Sequence, residues 1–102
     1  RRKAKEAREL TEEAEKIAEA LVKEKIVACV NIIPGITSIF FWEEKVCREE
    51  EFLLMVKSVS TNQNALLEKV KTLHSYSTPE VISVPVQSGN PDYLRWVMDV
   101  VK

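Results

Sequence analysis

The sequence predicts a small α/β domain of the mixed α+β kind, ordered helix, strand, strand, helix, strand, helix. Three observations carry this. Residues 1–25 hold one apolar stripe at helical spacing, β-branched and aromatic residues crowd the chain from Ile26 onward, and two later helix starts are signalled at Ser60 and Asn90. A chain of 102 residues, 45% hydrophobic and 30% charged with only two Gly, suits one packed domain, 1–102. It divides into an extended helix, 1–25, and a hairpin, helix, strand and helix, 26–102.

In the first part Ala7, Leu10, Ala14, Ile17 and Leu21 recur at steps of three and four, with Ala18 and Val22 beside them. The spacing predicts one helix over roughly 1–24, about 36 Å long at 1.5 Å per residue. From Ile26 the residues turn β-branched and aromatic through Ile32, Ile33, Ile36, Ile39, Phe40, Phe41 and Trp42, with Pro34-Gly35 marking a bend or bulge. A polar turn at Glu43, Glu44 and Lys45 leads to the apolar run Phe52–Val56, the returning arm of a hairpin. Ser60 and Gln63 form a capping box for a second helix, about 61–74, whose buried face is Leu66, Leu67, Val70 and Leu73. Glu80–Val86 reads as a strand near an edge, since Ile82, Val84 and Val86 keep a period of two while Pro85 lacks a donor. Asn90 with Pro91 at the first position starts the last helix, packed through Tyr93, Leu94, Val97 and Val101.

Fifteen basic residues against sixteen acidic give a net charge of −1, which provides no overall field for nucleic acid or an anionic membrane. The longest apolar stretches fall far short of a membrane span, and the charged N-terminus is no signal peptide. Cys29 and Cys47 have neither CxxC nor zinc-like spacing and make no disulfide framework, so a reducing, cytoplasmic setting is expected. No GxSxG, HExxH, P-loop or GxGxxG sequence occurs, and no catalytic residue is assigned.

The run Ala28-Cys29-Val30-Asn31-Ile32-Ile33-Pro34-Gly35-Ile36-Thr37-Ser38-Ile39, then Trp42, then His74-Ser75-Tyr76 with Thr78-Pro79-Glu80, resembles the CutA family in identity and spacing. Gly89-Asn90-Pro91-Asp92-Tyr93-Leu94-Arg95-Trp96 is similar to that family's C-terminal signature, and the match runs from about Thr11 to Val97. The resemblance implies a ferredoxin-like βαββαβ subunit in a tight homotrimer whose long hairpin strands pair between subunits, with no established catalytic reaction. It implies an association with tolerance of copper (Cu²⁺) and other divalent metals, none of them required for folding. Residues matching Cys29, His74 and Glu80 are implied as metal ligands.

Three departures stand out. Where the family opens with an apolar strand, this chain has the charged helical run Arg1–Leu10, so the first strand is expected to be missing and its neighbours left without a partner. Another chain then supplies a strand, or the sheet rearranges, or the helix is an engineered lengthening serving as a connection point, through which a further protein chain would attach. Glu44 stands where the family usually has Gly in the hairpin turn, a cost to that turn. Ser75 stands where it usually has Pro, which is expected to loosen the loop presenting His74.

Each candidate also has a plainer reading. His74, the only histidine, could be a helix-end residue favoured by the C-terminal dipole. Cys29 could be a small buried hydrophobe, and Glu80 a ligand, a lysine partner or an exposed side chain. Converged across a subunit interface, the three would favour Cu²⁺ or Zn²⁺ over Mg²⁺ or Ca²⁺. Phe40, Phe41, Trp42, Tyr93 and Trp96 read as core and subunit-interface packing. The functional expectation is thus a trimeric metal-binding and metal-tolerance protein; the alternative is an engineered trimeric scaffold without native activity.

Overall fold

The computed structural model describes residues 7–75 and 78–102, with side chains from Glu9 onward. The expected helical character of residues 1–6, and Tyr76 of the His74 motif, lie outside the described residues.

Helix α1, Ala7–Lys23, forms from strong helix formers uninterrupted by Gly or Pro. Its stripe packs inward: Ala14, Ile17, Ala18 and Leu21 are buried, Leu21 completely, whereas Val22 is largely exposed on the stripe's outer flank. The helix ends where Lys25 turns left-handed (φ +60°). Ile26 N–H then bonds Leu21 O at 3.1 Å and Lys25 N–H bonds Val22 O at 3.0 Å, a Schellman closure. Ile26 and the fully buried Val27 therefore belong to the turn and the core, and the first strand begins later than Ile26.

Strands β1, Cys29–Trp42, and β2, Lys45–Lys57, make one long antiparallel hairpin, the only sheet among the described residues. Pairing runs from Cys29↔Lys57 to Trp42↔Lys45 and slips between Ile33 and Ile36, the bulge that Pro34-Gly35 foretells. Gly35 takes φ +75° there. The one extra residue reverses the alternation of β1. Val30 pairs with Val56 and Ile32 with Leu54 on the face toward the helices, and beyond the bulge Ile39 and Phe41 share that face, past the reach of the core.

A 3-10 turn, Ser60–Asn62, precedes α2, Gln63–Leu73. The expected capping box is not made: no side chain caps either start, because the extra turn draws Ser60 into the helical segment. Asn62 instead spends its amide on the carbonyls of Ile26 (3.0 Å) and Lys102 (2.8 Å). Helix α3, Pro91–Val100, begins as expected, with Asn90 Oδ1 accepting the Asp92 N–H at 2.9 Å.

The core is Ile17, Leu21, Val27 and Val70, against which Val30, Leu54, Val56, Leu66, Leu73 and Val81 pack. Salt bridge Glu24–Lys69, at 2.7 Å, joins the turn after α1 to α2. The strand expected at Glu80–Val86 does not form: the segment joins no sheet, and Ile82, Val84 and Val86 are 78%, 79% and 71% exposed. Strand character needs a neighbour to bond, and among the described residues no backbone group of this segment has one. Val81 alone reaches the core.

Candidate functional site

His74 is the first residue beyond α2, its N–H bonded to Val70 O at 2.8 Å. The helix end sets it against α1, where Glu13 lies on the flank of the buried stripe. Glu13 Oε2 accepts the Ser75 N–H at 3.2 Å and the Ser75 hydroxyl at 3.0 Å, and stands 3.6 Å from His74 Nδ1. Both the carboxylate and the imidazole are half-buried. The substitution of Ser75 for proline therefore does not simply loosen this loop: it introduces a backbone donor and a hydroxyl, both bonded to α1.

Cys29 sits elsewhere, a half-buried free thiol at the start of β1. Its side chain lies beside Tyr93 of α3. The Tyr93 phenol is held above its ordinary value, first by desolvation and then by the charge and hydrogen bond of Cys29. Tyr93 lies tilted against Trp96, at 5.8 Å between ring centroids and 36° between planes, and both rings are substantially exposed. Glu80 is exposed in the unpaired segment. At the hairpin end Phe41 is 68% exposed, while Phe40 and Trp42 are half-buried and Trp42 Nε1 is enclosed without an acceptor.

No three Cys, His, Asp or Glu side chains among the described residues gather closely enough to hold a metal. Cys29, His74 and Glu80 are therefore not brought together within one chain. His74 and Glu13 do offer an imidazole and a carboxylate side by side, donors that suit Zn²⁺ or Cu²⁺ but fall short of a complete set. Glu13 went unmarked in the sequence because a carboxylate beside a helical stripe reads as part of the solvated face.

Residues 7–100 match the family model described as CutA1 divalent ion tolerance protein. The chain belongs to the CutA1 divalent ion tolerance family. It is 46% identical over 88 residues to the divalent-cation tolerance protein CutA of Thermus thermophilus, covering 86% of this chain and 85% of that protein. It is 50% identical over 88 residues to a CutA homolog of Xenopus laevis, covering 86% of this chain but spanning only 58% of the frog protein. The solved CutA1 structure from Thermus thermophilus superposes with a TM-score of 0.88 at 44% identity, covering 89% of this chain and 88% of that one. The CutA1 structure from Oryza sativa gives 0.87 at 42% identity, covering 89% and 84%. The chain thus has the α+β CutA fold. Because the match begins at residue 7, helix α1 is part of the CutA1 sequence rather than an addition to it, and nothing marks it as engineered.

Proposed function

We propose that this chain is a non-enzymatic divalent-cation tolerance protein that binds copper or a related divalent ion as a homotrimer. The observation that carries this is the family match across residues 7–100. The inward packing of the α1 stripe favours it over a bare scaffold, since the described part of that helix leaves no long apolar face open to a helical partner. Cys29, His74 and Glu80 are the proposed metal donors; since one chain keeps them apart, a shared site takes them from different copies.

Exposed Phe41, Tyr93 and Trp96, with half-buried Phe40 and Trp42, are the proposed subunit contacts. The exposed segment of Ile82, Val84 and Val86 is where a strand from another chain would pair. Its competent edge is that of residues 82, 84 and 86, because Pro85 removes a donor from the other. The cytoplasm remains the proposed setting from the free thiols, although related proteins include a chloroplastic one from rice and a periplasmic one from Archaeoglobus fulgidus.

Native mass spectrometry of the chain and of His74→Ala, with and without Cu²⁺, tests assembly and metal count together. A trimer whose copper binding is lost with His74 supports the proposal. A trimer indifferent to copper refutes the cation reading and leaves a scaffold.

A further inference from the structure

Helix α3 stands outside the core. None of its residues belongs to the cluster of Ile17, Leu21, Val27 and Val70 or to the partly buried side chains packed on it, and of its own side chains Val97 alone is buried. Tyr93, Trp96 and Met98 stay 41%, 45% and 61% exposed. The stretch leading to the helix, residues 82–89, is exposed throughout and belongs to no helix or strand. Among the described residues its backbone bonds to nothing, and the last residue before it with a hold on the core is Val81.

What ties this part of the chain down lies at its far end. Lys102 donates its N–H to Lys25 O at 3.0 Å, and its carbonyl accepts from Asn62 Nδ2 at 2.8 Å, so both backbone groups of one residue are engaged. The same Asn62 amide donates to Ile26 O at 3.0 Å, and the Ser58 hydroxyl donates to that oxygen at 2.7 Å. An amide nitrogen carries two protons, so one side chain at the start of α2 can hold the turn after α1 and the end of α3 together.

We infer that residues 82–102 form an arm that opens as one unit, hinged after Val81 and closed by Asn62 as its clasp, while α1, the hairpin and α2 stay folded. A segment opens at a cost set by the apolar contacts and protected hydrogen bonds it gives up. For the arm these are the seat of Val97 and the bonds at Lys102, whereas the rest of the chain keeps Leu21 and Val27, both fully buried. Opening frees the carbonyl of Lys25 and lifts Tyr93 from beside Cys29, so the clasp governs how far the start of β1 is covered.

The test is amide hydrogen exchange of the full chain, followed by NMR at rising urea concentrations below the unfolding transition. In the unaltered chain the amides of Leu94–Val101 are expected to share one opening, faster than that of Ala14–Leu21 and with a smaller urea dependence than global unfolding. Asn62→Ala is expected to speed exchange about 5–150-fold across all of α3, the effect of losing the clasp bonds, and to speed α1 exchange less. Ser58→Ala removes a donor from Ile26 O but leaves Lys102 held, and is expected to speed α3 exchange no more than α1 exchange.

A single opening shared by α1 and α3 in the unaltered chain overturns the inference. So does an Asn62→Ala effect confined to Val101 and Lys102, which would be fraying of the terminus, or a Ser58→Ala effect on α3 as large as that of Asn62→Ala. Should Asn62→Ala fail to fold, the unaltered chain still decides between one opening and two.

Discussion

Replacing Glu44 with glycine should stabilise the protein, and the hairpin geometry gives the magnitude. Trp42 pairs with Lys45, so Glu43 and Glu44 form a two-residue connection, with φ of +50° and +66° respectively. Two positive values define the turn whose twist matches the flanking strands, a turn that ordinarily uses Asn or Gly. An L-residue in that region costs about 1–2 kcal/mol. Glycine removes that cost but adds about 0.4–1 kcal/mol of unfolded-state freedom, leaving a net gain of about 0.5–1 kcal/mol. For a domain this size the gain corresponds to a Tm rise of about 2–8 °C. Thermal and urea unfolding should be followed at one fixed protein concentration, because association also moves Tm. Glu44→Ala is the control, since alanine removes the same charge yet keeps the left-handed penalty. If alanine stabilises as much as glycine, relief of repulsion between the adjacent glutamates is responsible and the backbone argument is wrong.

Other positions give outcomes of different kinds. Leu21→Ala, at a fully buried site in the α1 stripe, should cost about 2.7–5 kcal/mol in urea unfolding with little change in m value. Asn62→Ala breaks two hydrogen bonds that tie the α2 start to the α1 turn and the C-terminus, and should cost about 1–3 kcal/mol; amide exchange at Lys102 should rise with it. The raised Tyr93 value means that folding favours the neutral phenol, so this contribution is whole below about pH 10 and is lost as pH climbs through the folded value. Tyr93→Phe should therefore remove that part of the alkaline stability loss, and an unaltered alkaline limb would show that the phenol contributes none of it.

Elements that generate their own stabilising pattern could be read from the sequence. The α1 stripe, the Pro34-Gly35 bulge, the Asn90 cap and the hairpin all depend on residues close in sequence or on one strong periodicity, and all appear as expected. The Ser60–Gln63 capping box failed because a short 3-10 turn competes for the same backbone donors, a balance that residue types alone do not decide. The strand at 80–86 failed for a different reason. Its alternation records a preference for extended backbone, whereas a strand exists only with a neighbour, and among the described residues none pairs with this segment.

The site divides along the same line. His74 was marked by its motif, and the metal chemistry attached to it came from resemblance; the carboxylate that faces it could not be marked in that way. Glu13 lies three residues after Leu10 and four before Ile17, where helical periodicity alone assigns it to the border between buried and solvated faces. The packing of α1 against the end of α2 makes that border an inner surface, and Ser75 supplies two donors to the carboxylate there. The departure from proline at 75 thus has meaning in company with residue 13, sixty-two positions earlier. Substituting Ser75 with proline should consequently be neutral only if residue 13 is changed as well. A double-mutant cycle in which the two effects simply add would dissolve the coupling between Ser75 and Glu13.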